Sequence, residues 1–214
     1  MIFEIPKEGV LTLLKHQLQS FFPLTVQDEK ELNDNFDVVL EKCEENFANS
    51  PIRYYYKEID GQKEAYFNPF HTGIWMIFLY HFAHQIYLVK GGAIKDKLFY
   101  LNKIMNGCDI FYDVELPPHF TPSHQVGTVI GRGSIGDKLY ILHGCTIGEC
   151  FGKWPVIGNN CYMSAGSAII GDSHVGDNVT LGAGCIIKND TVPSNVNVFG
   201  ESPNLIIKPK KNMV

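Results

Sequence analysis

Eight histidines stand in this chain of 214 residues, and two have a spacing that could serve chemistry. His124 and His143 are nineteen positions apart, close to one eighteen-residue turn of the coil described below. That spacing places them on neighbouring coils near one edge. A histidine in such a wall is by default a surface or corner residue. Its chemical use is as a general base, because neutral imidazole is matched to taking a proton from a hydroxyl near pH 7.

The coil is announced by a six-residue beat. A bulky apolar residue falls at Ile157, Met163, Ile169, Val175, Leu181 and Ile187. Four residues after each comes a small or β-branched one: Cys161, Ser167, Ser173, Val179, Cys185 and Thr191. Gly, Asn and Asp fill the intervals and tolerate the left-handed angles that corners need. Helices do not repeat at six and plain strands repeat at two, so the pattern predicts a parallel β-helix. Followed backward, the beat passes through Ile147, Ile141, Ile135 and Val129. Between Ile147 and Ile157 four extra residues intervene, so Glu149 to Pro155 reads as a loop thrown out from a coil. Insertions in repeat folds map to loops, often on the binding face. About ten rungs, or roughly three turns, are expected.

The front of the chain reads as helical. Helical spacing runs from Val10 to Phe21 and from Gln27 to Phe47, with further helices over about 71–89 and 94–106. Between them, the pattern from Tyr54 to Phe67 is ambiguous, an extended excursion around Asp60-Gly61 being one reading. Pro117, Pro118 and Pro122 mark the approach to the β-helix. The organisation predicted is a helical domain over 1–112, a β-helix over 113–200 with a loop at 149–156, and a tail over 201–214. The apolar stretch Trp75-Met76-Ile77-Phe78 must pack on something; exposed, it would be an association face.

Composition narrows the partners. The chain is 45% hydrophobic and 19% charged, enough to bury a core, and carries a net charge of -5 without a basic patch. Nucleic acid is therefore not expected. The tail bases Lys208, Lys210 and Lys211 read as a solvated end. No CxxC pair occurs among the six cysteines, and Cys145, Cys161 and Cys185 fill small-residue slots, which suits packing. Cys150, in the loop, is the one expected to be exposed. No secretory signal or bilayer-length apolar run is seen, and a reducing cytoplasmic compartment is expected.

The segment His124-Gln-Val-Gly-Thr-Val-Ile-Gly131, followed by Ile141-Leu-His-Gly-Cys-Thr-Ile-Gly148, resembles serine acetyltransferase. That family reads H-A-T-G-x-V-V-G, then I-L-Q-x-V-T-L-G, then a loop and a hexapeptide run. Met163-Ser-Ala-Gly-Ser and Leu181-Gly-Ala-Gly-Cys match its later coils, and Phe70-His71-Thr72 and Phe82-Ala83-His84 echo its helical front. The likeness covers about residues 70–207. It implies an α+β chain: a helical domain followed by a left-handed parallel β-helix, assembled as a homotrimer that could pair through the helical domain. It also implies acetyl-coenzyme A as acyl donor, bound between neighbouring prisms, with no metal. The catalytic His falls on His124, with His143 as the second candidate. The carboxylate that orients it falls on Glu115, nine residues upstream rather than the family's fifteen, with Asp113 as the substitute. Such a carboxylate would fix the tautomer and stabilise imidazolium.

Two departures bear on the acceptor. Ser123 replaces the family's Asp before the catalytic His, and Trp154 replaces a loop His. Those positions help to hold the amino acid, and a Trp there suits stacking on a sugar ring or packing of the loop. Backbone of Ser164, Ala165, Gly182 and Ala183 is expected to line the pantetheine groove, with Lys208 near the nucleotide phosphates. Together with the Tyr100–Gly107 and Val114–Pro117 segments, the pattern resembles the branch associated with surface-polysaccharide synthesis.

Other readings of the same residues exist. Leu142-His-Gly-Cys-Thr-Ile-Gly148 also resembles γ-class carbonic anhydrase, whose histidine there ligates zinc with a second His five residues earlier. Here that position is Lys138, which breaks the ligand set, although His119 and His124 share the five-residue offset. Nucleotide-sugar N-acetyltransferases of the same fold use a coil His followed by an acidic residue, whereas Gly144 follows His143. A scaffold that binds partners through its helical front is the non-enzymatic reading.

Overall fold

The structure, a computed structural model, describes residues 1–210. The chain divides into two compact units: residues 1–106 with 111–113, and residues 107–110 with 114 onward. Among the described residues no helix is long and apolar enough to cross a membrane.

The first unit is helical with a small sheet. It runs β1 (Ile2–Phe3), α1 (Lys7–Phe21), α2 (Val26–Ala48), β2 (Tyr56–Ile59), β3 (Gln62–Phe67), α3 (Thr72–Leu88) and α4 (Ile94–Asn106). Helix α1 buries one stripe, Val10, Leu14 and Leu18. Helix α2 opens with a capping box: the Asp28 N–H donates to Thr25 Oγ1 at 3.1 Å, and the Thr25 N–H donates to the Asp28 carboxylate at 2.8 Å. The extended excursion is a hairpin of β2 and β3, with Asp60 (φ 51) and Gly61 (φ 77) in the left-handed region its two-residue turn requires.

Helix α3 is buried on almost every side. Trp75, Met76, Ile77 and Phe78 are the centre of this unit's core, with Phe78 against Phe36, Phe67 and Phe82. The stretch that would have been an association face if exposed is therefore internal. A polar cluster faces this core. Lys42 Nζ donates to Gln85 Oε1 at 2.8 Å, and Gln85 Nε2 donates to Asn35 Oδ1. Nearby, burial and the charges of Lys42 and His84 push the His81 imidazole down to about 3.

The second unit is a left-handed parallel β-helix of about five turns. Its first face stacks β4 (Asp109–Ile110), β6 (Val129–Ile130), β9 (Thr146–Gly148), β12 (Ala168–Ile170) and β15 (Ile186–Lys188). The second stacks β7 (Ser134–Ile135), β10 (Val156–Ile157), β13 (His174–Val175) and β16 (Thr191–Val192). The third stacks β5 (Phe120–Pro122), β8 (Leu139–Ile141), β11 (Tyr162–Met163), β14 (Thr180–Leu181) and β17 (Val196–Phe199). The coil is thus longer than the three turns the beat suggests. It already includes Asp109–Ile110, upstream of the prolines and inside the segment assigned to the helical domain.

Register explains where the beat holds and where it slips. Ile157 lies over Val175, eighteen residues on, but Ile135 lies over Ile157 twenty-two residues on, which is the four-residue insertion. Upstream, the residue paired with Ile147 is Ile130 rather than Val129. Ile130 is 2% exposed and Val129 41%, so the first-face unit there is one residue short. The same happens downstream: Val175 lies over Val192, and Thr191 is turned outward instead of filling a small-residue slot. Cys161, Ser167, Ser173, Val179 and Cys185 are all buried in their slots.

The segment from 201 onward is not a free tail. Strand β18 (Ile206–Pro209) returns antiparallel along β17, setting Lys208 opposite Asn197 and Ile206 opposite Phe199. Lys210 donates to Asn178 Oδ1 at 2.8 Å, whereas Lys211 lies outside the described residues. The fold-back brings the Phe199 ring down on Gly182. A Cβ at Gly182 would lie 2.4 Å from Phe199 Cδ1.

Two outcomes follow. A histidine held neutral below its ordinary value favours folding above about pH 6.5 and loses that contribution as pH falls towards 3. With Trp154→Phe leaving Trp75 as the sole tryptophan to report by selectively excited fluorescence, the helical unit should lose roughly 1.4 kcal/mol per pH unit across that window. His81→Gln should flatten the slope; an unchanged slope would show that His81 is not its source. Second, Gly182→Ala should cost about 1–3 kcal/mol in urea unfolding by displacing Phe199. It should be near neutral in a Phe199→Ala background, and additive costs would refute the contact.

Candidate active site

The turns between the third and first faces form one continuous corner. Each turn hydrogen-bonds to its neighbour: Gly144 N–H to Val126 O at 3.0 Å, Gly166 N–H to His143 O at 2.9 Å, and Gly184 N–H to Ala165 O at 2.9 Å. Val126, His143, Ala165 and Ala183 therefore lie in one row. Gly127, Gly144, Gly166 and Gly184 form the row beside it, all at positive φ and all exposed. Around that glycine row a Cβ would meet no side chain, so the corner presents bare backbone to solvent. Behind it, Thr128 Oγ1 donates to Leu142 O at 2.8 Å and Cys145 Sγ to Ser164 O at 3.1 Å, pinning the turns from inside.

His124 occupies an enlarged turn of this corner. In the other coils the glycine follows the last inward strand residue by three positions, as from Ile141 to Gly144. From Pro122, which pairs with Ile141, to Gly127 the interval is five. The two added residues push the turn outward. His124 is exposed and itself left-handed, at φ 55. Ser123 is half-buried and donates its N–H to Ile141 O at 2.9 Å. Among the described residues no side chain is hydrogen-bonded or ion-paired to the His124 ring. His143 is exposed one coil below, so the nineteen-residue spacing does bring the two histidines to one edge.

The same corner carries Ser164, Ala165, Gly182 and Ala183. Of these, Gly182 is covered, the space over it being taken by Phe199. Lys208 reaches this end of the corner only through Phe199, with Nζ 5.6 Å from the ring centroid.

Glu115 is elsewhere. It precedes β5 and, with Ser134 and Asp137, lines a shallow groove of about 400 Å³, whereas His124 follows β5. The strand stands between them, so the carboxylate expected to orient His124 does not do so within this chain. Asp113, the substitute, is grouped with the helical unit. One carboxylate that does hold a histidine ring is Asp137, 2.9 Å from His119 Nδ1. Burial opposes ionisation of Asp137, but the hydrogen bonds from the His119 ring and backbone outweigh it and hold its carboxyl below the usual range. This pair sits at the corner between the second and third faces, where Asp137, Asn159 and Asp177 link successive coils. Their spacing of one coil was its only sequence signal.

Trp154 lies at the remaining corner. The insertion is a hairpin: Cys150 and Lys153 exchange N–H···O bonds of 3.0 and 3.1 Å around Phe151-Gly152, both at positive φ. Phe151 is 96% and Trp154 47% exposed, while Cys150 is half-buried. The width of the first face, about 17 Å at ~3.3 Å per residue, separates this hairpin from the histidine corner of the same chain. His119 and Lys138 likewise stand at a different corner from His143. Among the described residues no group of three or more His, Cys, Asp and Glu is placed to hold a metal ion. Sequence reasoning passed over two neighbours of the histidine corner, Gln125 and Phe199. Gln125 was visible only as a Gln where the resembled pattern has Ala.

No protein-family model matches the chain. Serine acetyltransferase of Synechococcus elongatus is 30% identical over 135 residues, spanning 61% of this chain and 55% of that protein. The chain thus covers little more than half of that relative's length. Serine acetyltransferase of Helicobacter pylori is 29% identical over 146 residues, 65% of this chain and 84% of that one. Among solved structures, serine acetyltransferase of Brucella abortus superposes with a TM-score of 0.71 at 23% identity, covering 98% of this chain and 86% of that chain. The Neisseria gonorrhoeae serine acetyltransferase solved in complex with serine gives 0.68 at 24% identity, covering 94% and 83%. A Brucella abortus serine acetyltransferase structure holds coenzyme A and gives 0.70 at 21% identity, covering 99% and 85%. The chain has the fold of the serine acetyltransferases and is similar to them in sequence over 135–146 residues.

Proposed function

We propose that this chain is an acetyl-coenzyme A dependent O-acetyltransferase, with His124 as general base. The observation that carries the reading is the enlarged turn that lifts His124 beside a strip of bare backbone. A strip of that kind fits a thin, extended acyl carrier, and Ser164, Ala165 and Ala183 would flank it. Sequence similarity to serine acetyltransferases over 61–65% of the chain supports the assignment. When bound, acetyl-coenzyme A supplies an acetyl group activated as a thioester.

The residues of the chain then handle the proton. His124 accepts the proton of the acceptor hydroxyl as that oxygen forms its bond to the acetyl carbon. The carbon–sulfur bond breaks, and the same proton passes from the imidazolium to the departing sulfur. Such a base contributes roughly 10²–10⁴-fold. Among the described residues of one chain no carboxylate is hydrogen-bonded to the His124 ring, and the exposed hairpin lies a face away. Both facts favour a site completed between copies, and we place it between the prisms of a homotrimer. The acceptor is a hydroxyl of a small molecule or sugar, and the setting is surface-polysaccharide synthesis in a cytoplasmic compartment.

Free-thiol release from acetyl-coenzyme A, measured with light scattering of the same sample, tests this. His124→Ala should lower kcat by at least about 10²-fold while the trimer and the KM for acetyl-coenzyme A persist. His143→Ala should lower it less. Near-normal turnover in His124→Ala would rule that residue out as base, and loss confined to His143→Ala would move the role there.

A further inference from the structure

Taking the acetyl-transfer reading as its basis, we infer that Val126 is the end wall of the bare backbone strip and the residue that limits the acyl group to two carbons. Two observations carry it. The first is the place of Val126 beside the base. It stands two residues after His124 in the enlarged turn, and its N–H donates to the His124 carbonyl at 2.7 Å, closing a three-residue turn. Gln125, between them, is only 4% exposed, whereas Val126 is 68% exposed. Ser123 is half-buried and Gly127 has no side chain. Within residues 123–127, Val126 is therefore the exposed apolar side chain that accompanies His124. The second observation is where the bare strip stops. The glycine row runs one coil beyond Gly127, because the Gly127 N–H donates to Gly107 O at 2.7 Å and Gly107 is likewise left-handed, at φ 61. Gly107 is not bare. A Cβ built there would lie 3.4 Å from Val126 Cγ1, whereas the same atom at Gly127, Gly144, Gly166 or Gly184 would meet no side chain. The row beside the glycines thickens in the same direction, from Ala183 and Ala165 through His143 to Val126. An extended ligand on the strip thus has open backbone from Gly184 to Gly127 and a branched side chain across its end.

Acyl transfer puts its reacting atoms at this end. The acceptor oxygen must come within hydrogen-bond reach of the His124 ring, about 2.6–3.2 Å, and within about 3–3.5 Å of the acyl carbon. The oxygen–carbon bond forms, the carbon–sulfur bond breaks, and His124 carries the proton from the hydroxyl to the departing sulfur. Carbons beyond the carbonyl take part in neither bond. They lie past the end of the carrier, where the strip is closed by Val126. Valine is stiff about χ1 and does not swing aside as a longer side chain would. A methyl group fits against it. Each further methylene must displace it or pull the thioester away from His124. One methylene too many is worth about 10–200-fold in discrimination. Val126 meets the acyl group and takes no part in the proton transfer, so its role is to set specificity for the donor.

The full-length protein should be titrated by calorimetry with coenzyme A and with its acetyl, propionyl and butyryl thioesters. Each Kd is then expressed relative to that of coenzyme A in the same protein, so that any change in carrier binding cancels. The wild type should bind butyryl-coenzyme A at least about tenfold more weakly than acetyl-coenzyme A. Val126→Ala should shrink that ratio to about threefold or less, because the end of the strip is opened. Val126→Leu should weaken acetyl-coenzyme A itself by about 3- to 10-fold, because the wall is moved inward. A wild type indifferent to chain length, or a Val126→Ala variant with the wild-type preference, would overturn the inference and leave acetyl transfer standing. A protein that binds no coenzyme A at all would sink the underlying reading, and the inference with it.

Discussion

Everything in the second unit depends on the stacking of one peptide group over its counterpart a coil away. Tyr140 N–H meets Cys161 O at 2.8 Å, Tyr162 N–H meets Val179 O at 2.9 Å, and the other faces repeat the arrangement. Because side chains alternate along a strand, a slip of one residue would turn each inward apolar residue to water. The strands therefore cannot vary in phase. The chain can change length only at corners, and it does so at four places. It gains four residues at the hairpin and two around His124, and loses one at each of two turns. The two gains carry the candidate site residues that stand out from the wall. In this fold, freedom of length and freedom to hold reactive side chains are the same property.

Much of that was legible in the sequence, for a physical reason. The beat from Ile157 to Ile187 records which residues must face inward, and all six are buried. The insertion size could be read because register afterwards resumes without error. Val129 and Thr191 misled because a coil one residue short leaves the apolar pattern intact while changing which residue is inward. Ile130 and Val192 are equally apolar neighbours, so composition alone cannot choose between them. The helices were legible through the spacing of their apolar residues, as from Val10 to Phe21, where Val10, Leu14 and Leu18 are the buried stripe. The burial of Trp75 to Phe78 was not, because hydrophobicity tells that a stretch needs a cover and not what supplies it.

The candidate site was legible in part. Two histidines one coil apart must share an edge, and the stacked glycines confirm that edge as an open one. Glu115 is placed apart from His124 because proximity in sequence across a β-helix corner is a poor guide to proximity in space. Five residues ahead of β5 put a side chain on another face of the prism. The meaning of Gly182 was also hidden, since its covering ring arrives from Phe199, seventeen residues later. Small residues at a corner can mean room for a ligand or room for another part of the chain. Only the packing tells which.

The return of β18 along β17 has a consequence for the molecule outside its site. A parallel coil has an open last turn, whose unpaired N–H and C=O groups would template the strands of another molecule into an ever-growing fibre. On the third face that turn is β17, and the antiparallel strand occupies its free side. The covering segment itself ends in Lys208, Pro209 and Lys210. Proline offers no N–H to a further strand, and the two lysines repel a like neighbour. On the first face, the bridge between Ile186 and Glu201 extends the cover. The fold-back thus acts as a terminator, allowing the chain to use a polymer-like architecture while staying a molecule of finite size.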